Sequence, residues 1–478
     1  MNIPKENFSE WYNEIIKEAH LCDLRYNLKG FVVIPPNAAQ VMKTMYRIYE
    51  EALEKKGHRP AYFPALIPER NLQAESEHVK GFVPEVFWVT ETGTAKLEER
   101  MAMRPTSETA MYPMYALWIN GKSDLPLKIY QSCQVWRHET KATKPFIRTR
   151  EFYWIEAHDA FATEEEALMQ VREDMETAEE ILHQRFGIPF IFFKRPQWDK
   201  FAGAVDTYAA DTLMPDGKAL QLPSTHMLGQ NFSKVFDVKY MDEDGSYKFC
   251  WQTCYGPAIS RIYAALFSMH GDNKGLVYPF ELAPVQVVVI PIIKKDTEAE
   301  VRKKAEELEA KLSSHFRVEA DFSENTPGFK YNKWELLGVP IRIEIGMRDI
   351  QKRAAVLVRR DTGEKKEVRM EELAEAVAEE GKTLTQNLKK KADSWFSGLL
   401  HHGDSEKELE KAVEKGGFVR IPFCSDQKDG EHCAEMLKDR YSINIRGSKY
   451  GEKEKPKGKK CIACGKPAGI YLYAARQY

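Results

Sequence analysis

Two β-forming runs around a basic loop restrict the fold more than anything else in this chain. "LPLKIYQSCQVWRHE" at 125–139 and "RTREFYWIEAH" at 148–158 are rich in β-branched and aromatic residues. The short loop between them predicts an antiparallel hairpin. Side chains alternate along a strand, so Arg137 and Glu139 fall on one face. On the returning strand Arg148, Arg150, Phe152, Trp154, Glu156 and His158 share a face. Guanidinium groups, aromatic planes and a carboxylate make poor core. Arginine offers phosphate a planar fork of donors, and an aromatic ring stacks on a base. The pattern suits a nucleoside triphosphate lying across the hairpin. A solvated face with Arg–Glu pairs has the same composition, and the hairpin alone does not separate the two readings.

Two further stretches favour the nucleotide. "AMRPTSETAMYPMYALWI" at 102–119 places Arg104, Thr106 and Glu108 where a helix begins, with Met111, Met114, Tyr115 and Trp118 on its expected buried stripe. "CWQTCYGPAISRIYAAL" at 250–266 reads as a strand, a turn at Gly256 and a helix carrying Arg261 in its first turns. A helix N-terminus with an arginine favours an anion.

The chain has 478 residues, more than one core usually supports, so two to four domains are expected. "NAAQ" at 37–40 predicts a capping box, Asn37 with Gln40, opening a helix with Val41, Met45, Ile48, Ala52 and Leu53 on one stripe and a stop at Gly57. "TEEE" at 163–166 predicts a second capped helix ending near Gly187. Near "ELAPVQVVVIPII" at 281–293 the pattern changes to alternating elements: a helix over 296–314, a strand over 316–322, a helix near 329–337, and strands over 339–345 and 354–360. Residues 382–404 read as a helical connector, Ser405 and Glu408 as another capping box, and "GEKEKPKGKK" at 451–460 as a flexible surface loop. The expected architecture is an α+β domain on an antiparallel sheet over 1–282, an α/β domain over 283–381 and a small α/β domain over 382–478.

Net charge is −2, so a nucleic-acid partner must be met by local patches. Residues 342–369 hold nine Lys/Arg against five Asp/Glu. No apolar run approaches the ~18–20 residues that span a bilayer. The first residues lack a secretory pattern and the eight cysteines are sparse, which together predict a reducing cytoplasm. Cys424, Cys433, Cys461 and Cys464 cluster, and "CIAC" followed by Gly465 is half of a zinc site. Tetrahedral zinc and free thiols both fit that spacing, and His432 is an alternative ligand.

In order and spacing these stretches resemble the class II aminoacyl-tRNA synthetases. Arg137-His138-Glu139, a loop and Arg148-x-x-x-Phe152 are similar to motif 2. The helix from 37 with "FPALIP" at 63–68 resembles motif 1, with Pro64 as its proline, and 253–261 resembles motif 3, closing on Arg261. "RPTSE", "WIEAH", "LQLPSTHMLGQNFSKVF" and "GMRDIQKR" are similar to the prolyl-tRNA synthetases of archaeal and eukaryotic type.

That resemblance implies a reaction and roles. ATP would activate L-proline to prolyl-adenylate with release of pyrophosphate, and the prolyl group would pass to the terminal ribose of tRNA(Pro). Arg137 would hold the α-phosphate and the amino-acid carboxylate, Glu139 the adenine amine, and Arg148 the γ-phosphate. Phe152 and Arg261 would cover the two faces of adenine, with Gln221, Gln252 and Thr253 near ribose and adenine and Mg2+ bridging the phosphates. Thr106 and Glu108 would hold the proline ammonium, and Trp154, Glu156, His158, Phe201 and His226 would surround its ring. Cys254 and Tyr255 stand where relatives often carry serine and tryptophan. The 283–381 domain would bind the anticodon, with Arg348, Lys352 and Arg353 as contacts. The four cysteines would hold structural Zn2+, Tyr478 would match a terminal tyrosine that reaches toward the active site, and motif 1 would pair two chains in a homodimer. Residues 159–249 are too few for an editing insertion, so no hydrolysis of alanyl-tRNA in cis is expected. The rival readings are a synthetase for threonine, serine, glycine or histidine, a synthetase-like RNA-binding protein without catalysis, and a tRNA-independent adenylating enzyme.

Overall fold

The predicted hairpin forms. Leu127–Trp136 runs antiparallel to Glu151–Phe161 in register from Leu127 against Ala160 to Trp136 against Glu151. The computed structural model describes residues 1–78 and 86–478. Both strands stop short of the arginines. Arg137 N–H donates to the Arg150 carbonyl, and beyond it the chain leaves the ladder through a tight turn with Phe146 at φ 61°. Arg137, Glu139, Arg148 and Arg150 therefore belong to the loop, and the strand face predicted for them is carried by Phe152, Trp154, Glu156 and His158.

The hairpin is extended sideways. Trp251–Gly256 pairs with Glu151–Phe161 on one side and with Ala219–Gly229 on the other, followed by Asp206–Leu213 and Ile191–Lys194, all antiparallel. Arg59–Pro60 adds a short parallel edge. Helices Pro36–Lys55 and Ile259–His270 cover the face bearing Ile155, Ala157 and Tyr255, with Val41, Met45, Ile48, Ile262 and Phe267 in the core between. The opposite face, bearing Cys254 and His158, is covered only in part by helices Glu108–Trp118 and Asn231–Phe236, through Met111, Tyr112, Tyr115 and Phe232. What remains uncovered is a cleft. On helix Glu108–Trp118 the buried stripe includes Tyr112, while Trp118 is 42% exposed.

Capping follows the local chemistry. Thr163 and Glu166 form the reciprocal box, as do Ser405 and Glu408. Asn37 caps nothing: the helix begins at Pro36, with Pro35 as the flanking residue, because the fixed φ of proline is already that of a first helical position.

A second sheet orders Val318–Ala320, Val287–Ile292, Ile341–Gly346, Ala354–Arg359 and Lys365–Arg369, parallel over the first three and antiparallel after. Helix Glu298–Ser313 packs Ala305, Leu308 and Leu312 against it. The connector is helix Leu373–Ser397, which runs unbroken through residue 381. In the last region Leu400–His402, Phe418–Phe423, Ile470–Ala475 and Asn444–Lys449 form a sheet that is not separate. Ser448 and Lys449 pair with Lys194 and Phe193, so among the described residues one eleven-stranded sheet runs from the predicted hairpin into the C-terminal region. The 451–460 loop is tied down: Arg420 bonds Glu452 and Glu454, and Lys459 pairs with Asp404.

Candidate active site

The cleft has a volume of about 440 Å3 and gathers side chains from the hairpin and its loop and from the stretches 102–119 and 250–266. Thr106 and Glu108 come from the start of helix Glu108–Trp118. Arg137 and Glu139 come from the loop, Phe152, Trp154, Glu156 and His158 from the hairpin, and Arg261 from helix Ile259–His270. Phe201, Gln221 and His226 join them. Arg148 lies alongside, lining a smaller space with Arg137, Phe152 and Arg261.

Gln252 and Thr253 are not brought to the cleft. Both are fully buried. Thr253 is opposite Asp159 and donates to its Oδ2 at 3.3 Å, on the face turned away from Cys254. A register irregularity between Gln252 and Thr253 separates the two, and the Gln252 amide finds no hydrogen-bond partner among the described residues.

At one end of the cleft the chemistry is cationic and aromatic. The Arg137 guanidinium lies 5.4 Å from the Phe152 ring centroid and 5.3 Å from that of Trp154, and its Nε donates to the Pro105 carbonyl at 2.9 Å. Arg148 Nη1 donates to Glu139 Oε2 at 3.1 Å. The Glu139 carboxyl is held below the ordinary range: burial works against this, but the Lys141 amide and Arg148 outweigh it. Burial, together with Arg137, Arg148 and Arg446, lowers the Arg261 guanidinium to about 10. Like charges crowded out of water make a site that an anion relieves.

The other end is a small, carefully bonded pocket. Glu156, 1% exposed, accepts from Ser107 N–H at 3.0 Å, Ser107 Oγ at 2.8 Å and Cys133 Sγ at 3.2 Å. His158 stands between Glu156 and Tyr112, its Nδ1 3.1 Å from the tyrosine hydroxyl. Burial lowers the imidazole, but Glu156 and Glu108 outweigh it and hold it above its ordinary value. His226 is the opposite case: burial, with His158 and Arg195, lowers it to about 3, so it is neutral at physiological pH. Thr207 Oγ1 contacts its Nδ1 at 2.8 Å and Ser224 Oγ its Nε2 at 3.0 Å, and the Phe201 ring lies 4.9 Å away. Glu108, 2% exposed, accepts from Thr106 Oγ1 at 2.5 Å. The result is a carboxylate and a neutral imidazole flanked by Trp154 and Phe201.

Three family models match in chain order: "tRNA synthetase class II core domain (G, H, P, S and T)" over 87–270, "Anticodon binding domain" over 286–380, and "Prolyl-tRNA synthetase, C-terminal" over 406–478. The proline--tRNA ligase of Thermofilum pendens is 50% identical over 477 residues, covering 99% of this chain and 98% of that one. The chain belongs to the prolyl-tRNA synthetases. Solved structures of the family superpose closely. Giardia lamblia prolyl-tRNA synthetase in complex with prolyl-adenylate gives a TM-score of 0.94 at 37% identity, covering 99% of each chain. The Cryptosporidium parvum enzyme complexed with halofuginone and AMPPNP gives 0.93 at 34%, covering 100% of this chain and 99% of that one.

Elsewhere in this synthetase, the Sγ atoms of Cys424, Cys433, Cys461 and Cys464 lie within 4.8 Å of one another. Four soft thiols converging at one point fit a tetrahedral zinc ion. Arg348, Lys352 and Arg353 are exposed on and just after the short helix Met347–Lys352, with Lys352 paired to Glu367. Among the described residues no helix is long and apolar enough to cross a membrane. Sequence reasoning missed Arg195, Thr207 and Ser224, all of which line the cleft. Hydroxyls at 207 and 224 are visible in the sequence, but only strand pairing, Thr207 against His226, shows what they hold.

Proposed function

We propose that this synthetase activates L-proline with ATP and transfers it to tRNA(Pro), and that the cleft residues divide as follows. Arg137 holds the α-phosphate and the proline carboxylate. Phe152 and Arg261 sandwich adenine, Gln221 serves the ribose, and Arg148 meets the γ-phosphate, giving up its bond to Glu139 so that Glu139 accepts from the adenine amine. Thr106 and Glu108 take the secondary ammonium. Trp154 and Phe201 wall the ring, His226 offers it an uncharged edge, and Glu156 and His158 fix the pocket floor. The observation that carries the reading is the convergence of Arg137, Phe152 and Arg261 with Glu108, Trp154 and His226 in one cleft.

A proline carboxylate oxygen forms a bond to the α-phosphorus as the bond from that phosphorus to the bridging oxygen breaks, and the electron pair leaves with pyrophosphate. A hydroxyl of the terminal ribose then attacks the prolyl carbonyl carbon, AMP departs, and the hydroxyl proton goes to the departing phosphate or to water. No enzyme nucleophile is required; positioning and fixed positive charge lower the barrier. Magnesium would neutralise charge on the phosphates. Asp199, which lines both the cleft and the neighbouring arginine-lined cavity, is the carboxylate on hand to hold it alongside phosphate and water oxygens. Zinc at the four cysteines would be structural.

The three family-model segments support the order of a catalytic domain over 1–282, an anticodon-binding domain over 283–381 and a zinc-binding domain over 382–478, with helix Leu373–Ser397 running across the last boundary. Arg348, Lys352 and Arg353 are the proposed anticodon contacts. Tyr62, 92% exposed, and Leu117, 68% exposed, beside Trp118, supply apolar surface for a homodimer. A cytoplasmic site of action fits the free cysteines. The pocket rejects alanine only by the methylenes it lacks, worth about 1–3 kcal/mol, and we propose no editing in cis.

Amino-acid-dependent ATP–pyrophosphate exchange tests the reading. Proline should stimulate most and R137A should abolish the exchange. Strongest stimulation by threonine, or no exchange with any amino acid, overturns it. Rapid hydrolysis of pre-charged alanyl-tRNA by the pure enzyme would overturn the absence of editing.

A further inference from the structure

A second cavity, of about 230 Å3, adjoins the cleft, and its walls come from residues 147–261 and from the C-terminal region. Arg148 and Arg261 line it from the catalytic region, and Arg446 lines it from the C-terminal strand Asn444–Lys449. That strand carries a register irregularity between Ile445 and Gly447. A bulge re-aims the side chain it contains, which here is Arg446. Gly447 sits at φ 121° with its Cα so close to the Lys194 carbonyl that a Cβ would collide with it. Arg446 thus leaves its own sheet and enters the catalytic region, where it is 5% exposed.

There it is held firmly. Arg446 Nε donates to Asp211 Oδ2 at 2.7 Å. Asp211 also accepts from Arg195 Nη1 at 2.9 Å and Nη2 at 2.7 Å, so one carboxylate is shared by two guanidinium groups. Arg195 Nη2 in turn donates to Gln221 Oε1 at 3.0 Å, and Gln221 lines both the cleft and the second cavity. Arg261 spends its Nε on the Ile147 carbonyl. The side-chain carboxylate in the wall is Asp199, half exposed. Three guanidinium groups, Arg148, Arg261 and Arg446, thus line the space against the one side-chain carboxylate of Asp199; Glu139, bonded to Arg148, and Asp211, shared by Arg446 and Arg195, stand outside its lining. Such a space suits a compact polyanion.

Resting on the reading of the cleft as the ATP and proline site, we propose that this cavity seats the pyrophosphate end of the nucleotide, and that Arg446 is a pyrophosphate-positioning residue supplied by the C-terminal domain. The last domain then takes part in the chemistry of activation as well as in holding zinc. Arg446 acts on the leaving group and on the reverse reaction, in which inorganic pyrophosphate must be held in line with prolyl-adenylate.

The test uses the full chain with R446K and R446Q. In pyrophosphate exchange, the KM for inorganic pyrophosphate should rise about tenfold or more in R446Q and less in R446K, in line with the loss of a charge-assisted contact. Affinity for a non-hydrolysable prolyl-adenylate analogue, which lacks the β- and γ-phosphates, should stay within about twofold of wild type. An unchanged pyrophosphate KM in R446Q overturns the proposal. So does equal weakening of pyrophosphate and analogue in both variants, because that marks a role in structure alone. If wild type itself shows no proline-dependent exchange, the reading of the cleft fails first, which separates the two outcomes.

Discussion

Asp211→Asn isolates the charge cluster that joins the catalytic region to the C-terminal domain. Asp211 is fully buried, Arg195 is 3% exposed and Arg446 5%. The carboxylate receives three guanidinium hydrogen bonds, at 2.7, 2.7 and 2.9 Å. Asparagine keeps one acceptor oxygen but turns a donor toward a donor, and it removes the negative charge that both arginines bond directly. Leaving a buried charge without its partner costs about 3–5 kcal/mol. Urea denaturation should show a loss of that size in the first transition. Tryptophan fluorescence is a suitable probe, because the Trp198 ring packs 6.3 Å from Phe423 across the junction. The pH dependence has a definite sign. The folded Asp211 carboxyl is lowered, since the two arginines outweigh the burial that would raise it. Its contribution is therefore present above the unfolded value of about 3.9 and is lost as pH falls through the lower folded value. The gap between wild type and variant should stay flat from neutrality to about pH 4 and close below. Replacing all three residues by apolar ones (R195M/D211L/R446M) should recover most of the loss. A loss under about 1 kcal/mol in the single variant, or a triple variant no more stable than it, would refute the argument that uncompensated charge is the cause.

Gly256→Ala would place a Cβ 2.6 Å from Cζ2 of Trp154, pushing the ring into the cleft; the expected result is a cost of about 1–3 kcal/mol and a raised KM for proline, read by exchange kinetics and thermal melting. His226 is lowered to about 3 in the folded state, so the unfolded chain binds a proton that the folded chain refuses. Its contribution is full above about pH 6.5 and falls as pH drops; between about pH 7.5 and about pH 5 this amounts to about 2 kcal/mol, which H226N should remove from the denaturation profile. Chelation of zinc, or C461S, should cost on the order of 3 kcal/mol or more and release about one zinc per chain by metal analysis, leaving cleft mutants such as R137A unaffected in zinc content.

Where partners are close in sequence, the chain was readable. The capping boxes at Thr163 and Ser405 need only residues three apart, and both form. Asn37 failed because a proline just ahead had already fixed the helix start. The hairpin followed from alternation, but its ends did not: the bond from Arg137 N–H to the Arg150 carbonyl closes the ladder, and no pattern of polarity marks that point. On the cleft side, residues borne by the hairpin strand, Phe152 to His158, were legible from period-two spacing together with family resemblance. Gln252 and Thr253 are neighbours on one strand and so face opposite ways: Thr253 turns away from Cys254, and Gln252, paired with Ala160, is sealed from the cleft by burial that leaves no mark in the sequence. Arg446 stands far in the chain from Arg195 and Asp211, and charged residues in or beside strands look the same before and after they find partners. The union of two sheets was equally hidden, since it rests on the pairing of Ser448 and Lys449 with Lys194 and Phe193.

That union has a bearing on how this chain must be handled and how it evolves. Without Asn444–Lys449, strand Ile191–Lys194 would end the sheet with open N–H and C=O groups, and Phe193, now packed against Phe418 and Tyr473 at 5.1 and 5.2 Å, would face water. An uncovered apolar border of that kind recruits other strands. Shortened forms lacking residues 406–478 should therefore self-associate, and the C-terminal segment serves as the seam that keeps the catalytic sheet from sticking to its neighbours.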